Sequence, residues 1–145
     1  MRTIQNLQLY LLGGIAYGLI ELLWRGETHI SMVLLGGLCF LVLRQIGRTL
    51  RGMSFLLQCV VGALAITGLE FICGCIVNLW MGLHVWDYSA LPFNLFGQVC
   101  ALYLALWIGL SGVALLLLNR LECRAANRVQ PTGLQPGANS GGCAV

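Results

Sequence analysis

The chain carries little charge and contains no lysine. Only 9% of its 145 residues are charged, against about 25% in a typical soluble domain, whereas 59% are hydrophobic. This deficit excludes an ordinary soluble globular domain. All the basic residues are arginines, and they form no patch interleaved with aromatic side chains, which argues against nucleic-acid binding.

Motifs for nucleotide and metal binding are also missing. The sequence has no GxxxxGK[ST] loop, so the chain could not hydrolyse ATP itself. Five of the seven cysteines lie inside apolar runs, where cysteine behaves as a small hydrophobe, and Cys73-Gly-Cys75 lacks the CxxC spacing. His29 and His84 have no further ligand at a suitable spacing. We expect no metal and no cofactor.

What the sequence does contain is a series of apolar runs near the length that spans a bilayer, roughly 20 residues. The pattern predicts an all-α, polytopic membrane protein of four transmembrane helices. Glycines in the first run, Gly14 and Gly18, give it a small-residue face for close helix packing. The third run exceeds the bilayer and should be tilted or bent. The runs are residues 7–24, 30–43, 55–83 and 95–118.

The predicted domain comprises residues 1–128. The second helix could continue past its apolar part to the arginines at 44, 48 and 51, and the fourth through residues 119–128. Residues 129–145 are rich in Pro, Gly, Ser and Asn, a composition that cannot form a packed core. We predict that this segment is a disordered cytoplasmic tail.

The arginines predict the orientation of the helices. The N-terminus, the loop after the second helix and the C-terminal segment hold one, three and three arginines, whereas the other two loops hold one and none. The positive-inside rule then places both termini and residues 44–51 in the cytoplasm. The cytoplasmic arginines are the expected docking place for a partner subunit or anionic lipid.

Two carboxylates interrupt the apolar runs. The helical rise of 1.5 Å per residue puts Glu21 and Glu70 at a similar depth, roughly 21–23 Å from the inner boundary. A carboxylate at this depth costs several kcal/mol unless it is paired, hydrated or protonated. Arg25 lies four residues after Glu21 and can pair with it. The partner of Glu70 must come from elsewhere, and the candidates are Arg25, Asp87, Tyr17, Tyr88 and Asn94.

The connection before the fourth helix, residues 84–97, has the richest chemistry. It combines aromatic rings, a carboxylate, hydroxyls and an amide, and Pro92 requires a helix end nearby. Ser89 and Asn94 can cap helices. The connection should lie on the outer side of the membrane, where it could complete a polar cluster that either binds a ligand or locks the helices together. The members of this predicted cluster are Glu21, Arg25, Glu70, Trp86, Asp87, Tyr88, Ser89 and Asn94.

The run Trp86-Asp87-Tyr88-Ser89, followed by Pro92, Asn94 and Gly97, resembles the signature of small bacterial membrane proteins grouped as putative ABC-transporter type IV, or CmpB-like, proteins. Glu21 and Glu70 match two glutamates of that pattern, and Trp107 and Gly109 resemble a later feature. The likeness covers roughly residues 10–118. It implies a multi-pass location in a bacterial inner membrane and a connection with transport. Gln98 departs from it, since such proteins often carry a basic residue after the glycine.

Three functions fit these observations. The first is a membrane component of a transport system that binds a small solute or ion in an outer-leaflet pocket lined by carboxylates and aromatics, with a separate ATPase, another membrane subunit or a second copy as partner. The second is a structural or regulatory subunit without ligand. The third is an intramembrane enzyme acting on lipid, with Glu70 or Asp87 as general base and His84 beside Asp87, but no complete catalytic constellation is evident.

Overall fold

The computed structural model of the chain describes residues 2–129. It is 76% helical, and its four long helices are apolar enough to cross a membrane, as the sequence predicts. Residues 130–145 of the predicted tail lie outside the described residues. In chain order the elements are α1 (Arg2–Arg25), α2 (Ile30–Thr49), α3 (Phe55–Gly74), a π-helix (Cys75–Trp80), β1 (Asn94–Leu95), β2 (Val99–Cys100) and α4 (Ala101–Val129).

Side chains in the loops define where two helices begin. His29 precedes α2, and its Nδ1 accepts a hydrogen bond from the Ser31 amide at 3.2 Å. Ser54 precedes α3, and its Oγ accepts from the Leu57 amide at 3.4 Å. Each bond satisfies a backbone N–H that has no partner within the first helical turn.

Helices α1 and α2 pack closely because glycines lie between them. A Cβ on Gly36 would lie 2.3 Å from Cβ of Tyr17, and one on Gly14 would lie 2.6 Å from the Val33 carbonyl oxygen. The close helix approach expected at Gly14 therefore occurs against α2. Helices α3 and α4 form the second closely packed pair, and α2 contacts both of them.

The predictions for the third and fourth helices were partly wrong. Helix α3 is regular only to Gly74, and the π-helix after it ends at Trp80, before the predicted end at residue 83. Residues 95–100, predicted as helix, form part of an antiparallel hairpin, and α4 begins at Ala101. Phe96 and Gly97 adopt left-handed backbone conformations there, with φ of 52° and 68°. Apolar composition alone does not reveal such a turn.

Candidate functional site

The carboxylate of Glu70 lies between α1, α3 and α4 and is only 1% exposed. Its Oε1 accepts a hydrogen bond from the Tyr17 hydroxyl at 3.0 Å, and its Oε2 accepts one from Trp107 Nε1 at 2.7 Å. Both donors are neutral. Among the side chains that the structure describes, those of residues 4–125, no arginine or histidine forms an ion pair with this carboxylate.

The two donors are themselves fixed by packing. The rings of Tyr17 and Trp107 stack with centroids 5.6 Å apart and planes 21° apart, and the base of the Tyr17 side chain lies against Gly36. Both residues also line a largely apolar cavity of about 130 Å³ that is bordered by residues of all four helices, among them Gly13, Phe40 and Ile66. The donors of Glu70 therefore separate its carboxylate from an apolar space inside the bundle.

Glu21 is paired as its spacing predicts. Its Oε1 lies 3.0 Å from Arg25 Nη1, and its Oε2 accepts a hydrogen bond from the Thr28 hydroxyl at 3.1 Å. Arg25 also donates through Nη2 to the Val85 carbonyl at 2.7 Å. One guanidinium thus joins the end of α1 to the connection that precedes α4.

Tyr88 belongs to the connection, and the charges of both glutamates influence it. Burial raises the pKa of its phenol, and the negative charges of Glu70 and Glu21 raise it further, while the charge of Arg25 acts in the opposite direction. Its ring stacks on Tyr103 of α4 at a centroid distance of 4.5 Å. Tyr88 therefore lies within the electrostatic reach of both glutamates, as a neutral group.

Trp86 and Asn78 form the buried part of the connection. Trp86 is 3% exposed, and its Nε1 donates to the Gln98 carbonyl at 3.0 Å. The Asn78 amide donates to the Trp86 carbonyl at 3.0 Å and to Gln98 Oε1 at 2.8 Å, and its Oδ1 accepts from the Val85 amide at 2.7 Å. We call Asn78, Trp86 and Gln98 the amide lock.

The amide lock uses Gln98 both as a hydrogen-bond acceptor and as a donor. Gln98 Oε1 accepts from Asn78, while its Nε2 donates to the Phe96 carbonyl at 2.9 Å. A basic side chain at this position could donate but could not accept. The amide at residue 98 therefore serves the folding of the connection.

Asp87 lies apart from the two glutamates. It is exposed, and its two oxygens accept from the amide and the hydroxyl of Ser89 at 2.8 and 2.9 Å. These bonds lower the pKa of the Asp87 carboxyl, and its electrostatic interaction with nearby His84 acts in the same direction. No described hydrogen bond or ion pair joins Asp87 to Glu21 or Glu70, so the structure does not gather all the predicted residues into one cluster.

Ser89 and Asn94 do not cap helices, contrary to expectation. Asn94 Nδ2 donates to the carbonyls of Ser89 and Leu91, at 3.2 and 2.7 Å, and its Oδ1 accepts from the Gly97 amide at 3.1 Å. These bonds join residues within the exposed half of the connection to one another. The nearest helix begins only at Ala101, because the hairpin intervenes.

Sequence reasoning missed two residues that matter here. They are Thr28, for which the sequence offers no signal, and Asn78, for which it offers one, since a carboxamide inside an apolar run of membrane-spanning length is unusual. For Glu70, one of the expected partners, Tyr17, is correct. Its second partner, Trp107, was noted only for its resemblance to a family feature.

Gly74 is required where the amide lock packs on α3. A Cβ at this position would lie 2.5 Å from Gln98 Oε1 and 3.1 Å from Cζ2 of Trp86. We expect Gly74→Ala to lower the free energy of unfolding in detergent by about 1–3 kcal/mol, the usual cost of overpacking. Gly68→Ala in the same helix is the control, since its Cβ would meet no atom within 4 Å. Equal stability of the two variants would contradict this packing.

Comparison with known proteins gives one match. The family described as Putative ABC-transporter type IV matches residues 9–135, which is most of the chain. No curated protein and no solved structure matches.

Proposed function

Because the chain belongs to the Putative ABC-transporter type IV family and is a multi-pass membrane protein, we propose that it is an integral component of a transport system and binds a small cation at Glu70. One observation carries the proposal. Glu70 is buried and held by two neutral donors, with no positive partner in the part of the chain that the structure describes. An ionised carboxylate in this position is costly, and a bound cation removes that cost.

The unused acceptor capacity at Glu70 favours a proton or a monovalent metal ion as the ligand. Each oxygen of Glu70 accepts one described hydrogen bond, so lone pairs remain on the carboxylate and on the Tyr17 hydroxyl. A hard monovalent ion prefers such oxygens. Glu21 supplies a second negative charge whose effect reaches Tyr88 together with that of Glu70, although Arg25 already pairs with it.

Thermal unfolding of the full chain in a neutral detergent tests the site. We expect Na⁺, K⁺ or acidification to raise the Tm of the wild type by several degrees relative to choline at neutral pH. Glu70→Gln should lose this response, because a neutral amide keeps the shape and still accepts from Trp107. Asp87→Asn is the matched control, since Asp87 is exposed and bonded to Ser89 alone. A response that survives in Glu70→Gln would refute the cation site.

The transport role also requires components that this chain lacks. Since its sequence has no Walker-type loop, ATP hydrolysis would come from a separate subunit. We propose that the chain lies in a bacterial inner membrane, as its resemblance to small bacterial membrane proteins implies. The distribution of its arginines supports cytoplasmic positions for both termini. Affinity purification from the native membrane, followed by mass spectrometry, tests for the partner. A co-purifying P-loop ATPase supports the transport role, whereas recovery of the chain alone weakens it.

A structural or regulatory subunit is the second candidate. The observation that favours it is that the polar groups of the connection bond to one another: Asp87 to Ser89, Asn94 to nearby backbone, and Asn78 to Gln98. In that case no ion would bind, so the Tm of the wild type would not respond to Na⁺ or K⁺. Glu70→Gln would then change only the stability. The same unfolding series therefore separates the two candidates.

A further inference from the structure

A cluster of arginines occupies the end of the bundle opposite the connection. Arg44 and Arg48 at the end of α2 and Arg51 in the following loop all contact Glu122 of α4. The distances to its carboxylate oxygens are 2.9 Å from Arg44 Nε, 2.8 Å from Arg48 Nη2 and 3.4 Å from Arg51 Nη2. Arg44 also donates to the side chain of Asn6 in α1. We call Arg44, Arg48, Arg51 and Glu122 the arginine cluster.

The cluster has more positive than negative charge. One carboxylate faces three guanidinium groups, which leaves two positive charges without an anion in the cluster. Arg44 is largely enclosed, but the side chains of Arg48 and Arg51 are 47% and 63% exposed. Bringing like charges onto a single carboxylate is unfavourable unless a second anion neutralises them. Arg48 and Arg51 are the two groups that such an anion could reach.

The loop that carries Arg51 is held in place by a side chain of α3. The buried side chain of Gln58 donates through Nε2 to the carbonyls of Leu50 and Met53, both at 3.1 Å. The Met53 amide in turn donates to the Leu50 carbonyl at 2.8 Å. Arg51 lies between these two anchored residues, so its backbone is positioned beside Arg48 before any ligand arrives.

The neighbouring side chains indicate what kind of anion fits. Met53 and Leu56 are exposed and apolar and follow Arg51 in the chain, Met53 in the same loop and Leu56 in the first turn of α3. A guanidinium pair at the end of transmembrane helices, with apolar side chains beside it, matches a phosphate whose ester carries acyl chains. We propose that Arg48 and Arg51 bind the phosphate of an anionic phospholipid headgroup, while the lipid chains lie against Met53 and Leu56.

Native mass spectrometry of the full chain in a neutral detergent tests the proposal. The probes are phosphatidylglycerol and phosphatidylcholine with identical acyl chains. The wild type should bind phosphatidylglycerol about tenfold more tightly than phosphatidylcholine. Replacing both Arg48 and Arg51 with glutamine should weaken phosphatidylglycerol binding by about tenfold to thirtyfold, because each basic residue contributes separately. The variant keeps the Arg44–Glu122 pair, so the helices should remain joined.

A control variant and an alternative variant make the result decisive. Replacing Arg120 and Arg124 with glutamine removes the same charge from exposed positions of α4 that form no described ion pair, and lipid binding should persist. Should the double variant fail to fold, Arg51→Gln alone, which loses a single 3.4 Å contact, should still weaken binding severalfold. Unchanged binding in the variants of Arg48 and Arg51, or full displacement of the lipid by equimolar inorganic phosphate, would overturn the proposal.

Discussion

Trp86→Ala is expected to lower the free energy of unfolding by about 3–5 kcal/mol, the usual cost of removing a large buried aromatic side chain. The indole is almost wholly buried, touches the position of Gly74 and donates to the Gln98 carbonyl. Its removal leaves a cavity and a buried carbonyl without its donor. The measurement is the unfolding free energy in mixed micelles, with the wild type and variant in the same detergent.

Trp80→Ala is the matched control for this effect. Trp80 ends the π-helix close to the same connection, but 83% of its surface is exposed. We expect its removal to change the unfolding free energy in detergent by less than about 0.5 kcal/mol, as for most exposed positions. If both variants lost the same stability, burial of Trp86 would not be the cause.

Asn78→Leu should cost about 3 kcal/mol, although leucine is similar in size and more apolar. The substitution removes three hydrogen bonds and leaves the Val85 amide, the Trp86 carbonyl and Gln98 Oε1 without this partner inside the protein. Each buried polar group left unpaired costs about 1–3 kcal/mol, and local relaxation recovers part of the sum. Asn119→Leu, at an exposed position of α4, should be nearly neutral in the same unfolding assay.

The two substitutions should not be additive. The Trp86 indole bonds to the backbone carbonyl of Gln98 and the Asn78 amide bonds to its side-chain oxygen, so the loss of either partner loosens the residue that the other one binds. The double variant should therefore lose less stability than the sum of the single losses, by about 0.5 kcal/mol or more. Strict additivity would show that the amide lock is not one unit.

The sequence predicts the membrane fold well because its signals are long and regular. Four apolar runs indicate four helices, and the spacing of Glu21 and Arg25 correctly predicts their ion pair. The start of α4 was missed because the hairpin before it has strands of only two residues each, which are too short to show an alternating pattern. Most residues from Leu95 to Cys100 are also apolar, like those of the helix that follows. Long helices are thus easier to predict from this sequence than a short hairpin.

For the candidate site, the sequence predicts the depth of the carboxylates but not all the bonds that they form. Equal depth predicts that Glu21 and Glu70 could face one site, and this stays a prediction, since Glu21 pairs with Arg25 whereas Glu70 bonds to Tyr17 and Trp107. Depth could not show that Asp87 turns away, because that depends on the local bonds to Ser89. Nor could it identify Trp107 as a donor to Glu70, since the rotation of α4 about its axis is set by packing against three other helices.

The arginine cluster also has a consequence for how the bundle is assembled during synthesis. Glu122 lies on α4, the last of the four helices to leave the ribosome, whereas its three arginine partners precede α3. Until α4 is made, those three arginines have no carboxylate from it with which to pair. Glu122 then joins the end of α2 and the following loop to α4, so the last helix completes an ion-pair network whose basic half is already in place.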